Sequence, residues 1–172
     1  IHEIGNLRSL CGEIVAVQAQ ASNATRGFAV EDSIAISLRF ASGALGTFML
    51  SDTAACARSW EQTARENLDY PSYADEDCYV LAGTQGSLSI PTMRLKYYAR
   101  DEQRSWWRPF QCASASVAEA DPLARQLAHF CQVIRGQAEP LVSVRDGLRN
   151  LQIIDAIGEA ARSGHTVTIE HL

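Results

Sequence analysis

The sequence lacks the marks of several protein classes. It has no CxxC pair, and its five cysteines (Cys11, Cys56, Cys78, Cys112 and Cys131) are odd in number and unevenly spaced. That pattern suggests neither a structural zinc site nor a disulfide framework, and no metal ligands are assigned. The expected state is reduced, mostly buried thiols in a cytosolic, cytoplasmic protein. Cys56, in a polar stretch near Arg58, is the candidate exception as a reactive thiol. No apolar run approaches the length of a membrane span, so no membrane partner is expected. Positive charge is not in excess: Lys+Arg number 15 against 20 Asp+Glu, a net charge of −5. Scattered charges of that balance argue against a nucleic-acid surface. There is no GxSxG elbow, no P-loop lysine and no full GxGxxG. Gly83-Thr84-Gln85-Gly86 comes nearest, but a strand follows it rather than a helix, so it reads as a hairpin turn. The chain opens Ile1-His2-Glu3-Ile4, with neither an initiator Met nor a secretory pattern, so residue 1 reads as an interior cut.

What remains is an ordinary globular composition, 47% hydrophobic and 20% charged over 172 residues. A chain of that length buries roughly 70% of its unfolded surface and suffices for one domain, residues 1–172. Residues 2–12 read as a helix, with Ile4, Leu7 and Leu10/Cys11 as its apolar face and Gly12 as its stop. His2, Asn6 and Ser9 fall on the opposite face. Residues 13–22 read as a strand, with Val15, Val17, Ala19 and Ala21 on one face and Gln18 and Gln20 on the other. Residues 33–40 alternate, and Ala41-Ser42-Gly43-Ala44 turns them into a second strand, Leu45–Ser51.

From Asp52 to Asp77 periodicity dissolves, with a helical turn expected around Trp60–Asn67. Strands resume at Cys78–Ala82, Ser87–Ile90 and Arg94–Arg100, and Ser105–Phe110 is a candidate edge strand because of Pro109. Asp121-Pro122 opens a helix with the stripe Leu123, Leu127, Phe130/Cys131 and Ile134. Ser143 caps a last helix to about Arg162, with the stripe Leu148, Leu151, Ile154 and Ile157 and a stop at Gly164. Thr166–Glu170 is a final strand. The sum is an α+β layout: an open, predominantly antiparallel sheet packed on one face by helices.

Few residues offer chemistry. His2, off the core face, suits proton transfer near neutral pH, although an ordinary surface histidine fits the same position. His129 reads as packing or surface, His165 as a turn residue and His171 as a terminal one. The acids Glu31/Asp32 and Asp75–Asp77 read as solvated. In the long loop, Trp60, Tyr70 and Tyr73 supply stacking faces while Arg58, Glu61 and Asn67 supply directed hydrogen bonds. That mixture suits a polyhydroxylated ligand such as a sugar. It equally suits a satellite cluster that pins a long loop, and composition does not choose between them.

The order of motifs resembles the C-terminal domain of the Gfo/Idh/MocA family of NAD(P)-dependent oxidoreductases. The resemblance rests on Ile1-His2-Glu3-Ile4 with Leu7-Arg8 and Leu10-Cys11-Gly12-Glu13, and on Val30-Glu31-Asp32. It continues through Leu38–Gly46, Ser51-Asp52-Thr53-Ala54, Ser59-Trp60-Glu61, Ala82–Leu88 and Asp146-Gly147-Leu148, and so spans nearly the whole chain. The resemblance implies a C-terminal domain of the dihydrodipicolinate/glyceraldehyde-3-phosphate dehydrogenase kind, which shapes the substrate site and forms the oligomer interface. It implies an N-terminal Rossmann domain, absent here, that binds NAD or NADP.

His2 matches the family's catalytic histidine, and the lysine and aspartate that commonly accompany it would lie upstream of Ile1. Where the family often has Asp, this chain has Gly5. Substrate contacts are expected from Asn6, Trp60, Glu61, Asn67 and Tyr73. The implied function is oxidation or reduction of a CH–OH group on a sugar, cyclitol or related polyol. The fragment alone would be inactive, and a homo-oligomer would form through the open sheet face. A non-catalytic binding or assembly module on the same fold is the alternative.

Overall fold

In a computed structural model, residues 1–118 and 120–170 are described. The chain divides into two compact units, residues 1–54 with 139–172, and residues 55–138. The first contains α1 (His2–Cys11), β1 (Ile14–Ser22), β2 (Ser33–Phe40), β3 (Leu45–Ser51), α4 (Val144–Ser163) and β8 (Val167–Thr168). The second contains α2 (Trp60–Thr63), β4 (Tyr79–Ala82), β5 (Gly86–Ile90), β6 (Arg94–Tyr97), β7 (Gln111–Ser114) and α3 (Pro122–Ile134). The α+β, antiparallel, open architecture is as expected. Its strands are shared between two four-stranded sheets, in the orders β3-β2-β1-β8 and β4-β5-β6-β7.

In the first unit, alternation drives the packing. Ile34, Ile36, Leu38 and Phe40 of β2 all point inward. They join Ile14, Val17 and Ala19 of β1 and Ile153, Ile157 and Ala160 of α4 in one core. A bulge between Ile14 and Ala16 shifts the register. That extra residue changes the parity of the strand, so Ile14 and Val17 share the buried face and Val15 does not lead it, while Ala21, in phase with Val17 and Ala19, is exposed near the strand's end. The other sheet face carries Gln18, Gln20, Ala35, Ser37, Thr47 and Met49, and among the described residues the main helix contacts of this sheet are those of α4 with β1 and β8.

Helix α4 is bounded as its sequence demands. Ser143 and Asp146 form a reciprocal capping box, and Gly164 at φ 70° closes the helix in a left-handed turn that a side chain resists. Its buried face is Asn150, Ile153, Ala156, Ile157 and Ala160. Leu148 and Leu151, expected on the core stripe, are half exposed. The second half of the stripe holds, with Ile157 in the core and Ile154 packed against it, but Asn150, Ala156 and Ala160, and not the two leucines, complete the buried face.

In the second unit, β4 and β5 form a hairpin whose turn is Gly83–Gly86, closed by Gly83 N–H donating to the Gly86 carbonyl at 2.8 Å. The candidate edge strand 105–110 is instead irregular, and Gln111–Ser114 is the edge. Helix α3 starts as expected, with the Asp121 carboxylate accepting from the Leu123 and Ala124 amides. Its stripe is not a core stripe, since Leu123, Leu127, Phe130 and Ile134 are all exposed. None of the five cysteines is fully buried: Cys56 and Cys112 are exposed and the others half-buried. His171 lies outside the described residues.

Candidate functional site

The candidate histidine starts α1. His2 and Asn6 lie one turn apart on its exposed face, as the helical wheel demands. The opposite face is not simply apolar. Ile4 is buried, but Leu10 is 46% exposed, and the other deeply buried residue is Arg8, whose side chain is only 7% exposed. The guanidinium forks onto Glu13, with Nε to Oε2 at 3.0 Å and Nη2 to Oε1 at 2.8 Å. Its Nη1 donates to Asn150 Oδ1 at 2.7 Å and to the Asp146 carbonyl at 3.1 Å. Arg149 adds a second cation 3.4 Å from Glu13. The paired guanidinium is the main reason the Glu13 carboxyl titrates below its ordinary value. The same hydrogen bond, donated to Glu13, raises the Arg8 guanidinium's pKa against the opposing effect of burial.

This network locks α1 to α4 and so fixes the helix that presents His2. Gly5 belongs to it. A Cβ on residue 5 would come within 3.0 Å of Asn150 Nδ2. Position 5 therefore faces α4, beneath the helix, and not the face that carries His2 and Asn6.

The remaining candidates lie in the second unit. Ser59 caps α2 through the Gln62 amide. Trp60 is half-buried, with its indole N–H on Glu66 Oε2 at 2.8 Å and its ring edge-on to Tyr79 at 6.0 Å. Its role in holding the loop is thus visible, while Glu61 on the next position is exposed. Tyr73 is brought back to α2, its amide donating to the Gln62 carbonyl at 2.8 Å, and its ring is exposed. Asn67 sits apart in a turn, its Oδ1 accepting from the Asp69 amide. Trp60, Glu61 and Tyr73 therefore gather around α2, and Asn67 does not join them by any direct bond shown.

Two of the acids read as solvated are structural. Asp32 is buried and accepts from the Thr25 and Arg26 amides at 2.9 and 3.0 Å. Those bonds, the one from Arg26 foremost, hold its carboxyl below the ordinary range. Asp77 resists the effect of burial, which alone would raise it. Thr92, through Oγ1 and N, and Arg94 together hold it low. The Gly83–Gly86 turn is not a dinucleotide cradle: it joins two antiparallel strands and not a strand to a helix.

Arg8 and Asn150 are what sequence reasoning missed. The signal was an Arg on the core side of an amphipathic helix with a Glu five residues on.

Comparison with known proteins gives the lineage. Residues 1–169 match the model described as oxidoreductase family, C-terminal alpha/beta domain, of the Gfo/Idh/MocA group. The D-apiose dehydrogenase of Paraburkholderia graminis is 27% identical over all of this chain, which covers 44% of that protein. The aldose-aldose oxidoreductase of Caulobacter crescentus, solved with glycerol, superposes with a TM-score of 0.66 at 26% identity, covering 98% of this chain and 45% of that one. Levoglucosan dehydrogenase, solved with NADH and levoglucosan, shares the fold with a TM-score of 0.67 at 20% identity, covering 99% of this chain and 49% of that one. The chain spans less than half the length of each.

Proposed function

The chain belongs to this oxidoreductase family, and on that premise we propose that it is the substrate-side half of a nicotinamide-dependent dehydrogenase acting on a CH–OH group of a sugar, cyclitol or related polyol. The observation that carries the reading is α1: His2 and Asn6 stand exposed on one face while Arg8 bolts the other to α4. A helix held so firmly presents an imidazole in a fixed place, which is what proton transfer requires. His2 would take the hydroxyl proton as the alcohol is oxidised and return it in reduction, with Asn6 orienting the hydroxyl. NAD or NADP, held by a domain outside these residues, supplies the hydride exchange.

Glu61 and Tyr73, with Asn67, would hydrogen-bond the substrate's hydroxyls, and Trp60 would hold the loop that carries them and offer its ring edge. The curated relative and the Caulobacter structure, both named for sugar chemistry, support a polyhydroxylated substrate. The open sheet face, with Met49 72% exposed and Leu45 farther along the same strand face, would be buried in a homo-oligomer. A panel of aldoses, polyols and cyclitols with NAD⁺ and NADP⁺ tests the reading. Turnover is expected from the full-length polypeptide and none from residues 1–172 alone. NAD(P) turnover by residues 1–172 would overturn it.

A further inference from the structure

One groove of the second unit contains none of the residues assigned to hydride transfer. It is a half-open groove of about 550 Å³ between the Gly83–Gly86 turn and the segment 98–110. That size suits a small organic ligand. The segment is fastened at several points and is not a loose flap. The Tyr98 amide donates to the Gln85 carbonyl at 2.9 Å, and Arg104 Nη1 donates to the Thr84 carbonyl at 3.0 Å. The Tyr98 hydroxyl reaches the Ser105 and Arg108 carbonyls at 2.7 and 3.2 Å, and its ring stacks obliquely on Phe110 at 4.6 Å.

The lining is chemically biased. Trp106, Tyr98 and Phe110 supply aromatic surface, and Trp106 is fully exposed. Thr84, Gln85 and Ser87 supply neutral polar side chains, and no carboxylate lines the groove. Of its two arginines, Arg104 is paired with Asp101 at 2.9 Å, while Arg108 forms no ion pair among the described residues. A net positive charge thus sits beside an unshielded indole. Apolar surface left bare next to an uncompensated guanidinium, on a segment held in place, is a poor arrangement for stability alone. The combination recognises a ring with an apolar C–H face, hydroxyls and one acidic group.

We propose that this groove binds an acidic monosaccharide, with the sugar face on Trp106, its phosphate or carboxylate on Arg108 and its hydroxyls on Thr84 and Ser87. The proposal stands apart from the dehydrogenase reading, because its test measures binding and not turnover. The 172-residue chain is titrated with glucose 6-phosphate, glucuronate, glucose and inorganic phosphate, by calorimetry and by tryptophan fluorescence. Saturable binding of glucose 6-phosphate, glucuronate or both is expected, and which of the two binds identifies the acidic group. Arg108→Gln should weaken it about 10- to 100-fold, by loss of a charge-assisted bond. Trp106→Ala should weaken it at least about fivefold, while Trp107→Ala, which removes an indole outside the groove, should leave it intact. Both groove residues are exposed, so neither change threatens the fold. Absence of saturable binding by either acidic sugar overturns the proposal, as does equal binding of glucose or phosphate alone. Affinity unchanged in Arg108→Gln and Trp106→Ala also overturns it.

Discussion

Replacing Arg8 by Met keeps an apolar stem of similar length and removes the guanidinium. Four hydrogen bonds of 2.7 to 3.1 Å disappear. The loss has two parts. Asn150 is buried, so its Oδ1 is left without its donor, a penalty of about 1–3 kcal/mol. Glu13 is 38% exposed and keeps Arg149 at 3.4 Å, so its loss is discounted to about 1 kcal/mol. The sum, about 2–4 kcal/mol, falls below the 3–5 kcal/mol typical of a fully buried broken pair.

Urea unfolding followed by circular dichroism should show a midpoint lowered by about 1–2 M with the slope unchanged, taking a slope near 2 kcal/mol/M. The double variant Arg8→Met/Asn150→Leu should lose less than the two single changes added together, because neither leaves the other's polar group stranded. A loss under about 0.5 kcal/mol would refute the reasoning and mark the network as an ordinary surface ion pair. Strict additivity would refute the coupling between Arg8 and Asn150.

Further outcomes follow from the same contacts. Gly5→Asp should destabilise the protein by at least about 1 kcal/mol in the same assay, since the added side chain displaces Asn150 from Arg8. Gly5→Ala, which gains about 1 kcal/mol of helix propensity, should be milder. The carboxyls of Glu13, Asp32 and Asp77 are all held low in the folded chain. Their stabilisation is therefore complete above the ordinary carboxylate range and lost as pH falls through the folded values. The urea midpoint should stay level down to about pH 5 and fall below about pH 4, more gently in Arg8→Met. Met49→Lys on the open face should convert an oligomer to smaller species in analytical ultracentrifugation, with circular dichroism unchanged.

Much of the fold was legible because it is local. The Ser143 and Asp121 caps, the Gly12 and Gly164 stops and the alternation of β2 each act within a few residues. What failed was non-local. The β1 bulge changes parity through pairing with β2, and the buried side of α4 is chosen by α1 and the sheet, which prefer Ala156 and Ala160 to Leu148 and Leu151. Asp32 and Asp77 read as surface acids because their donors, two loop amides in one case and Thr92 with Arg94 in the other, are unrecognisable before folding. The exposure of His2 and Asn6 was legible, since it follows from helical geometry. The anchoring of Trp60 was not, because its bond to Glu66 depends on the path of a loop.

The central claim is that His2 moves the substrate proton. Its most direct test is steady-state kinetics of the full-length polypeptide with His2 replaced by Asn, on whichever polyhydroxylated substrate the panel identifies. The claim predicts a fall in kcat of about 10²- to 10⁴-fold with KM nearly unchanged. A His2→Asn variant that keeps its kcat would contradict it.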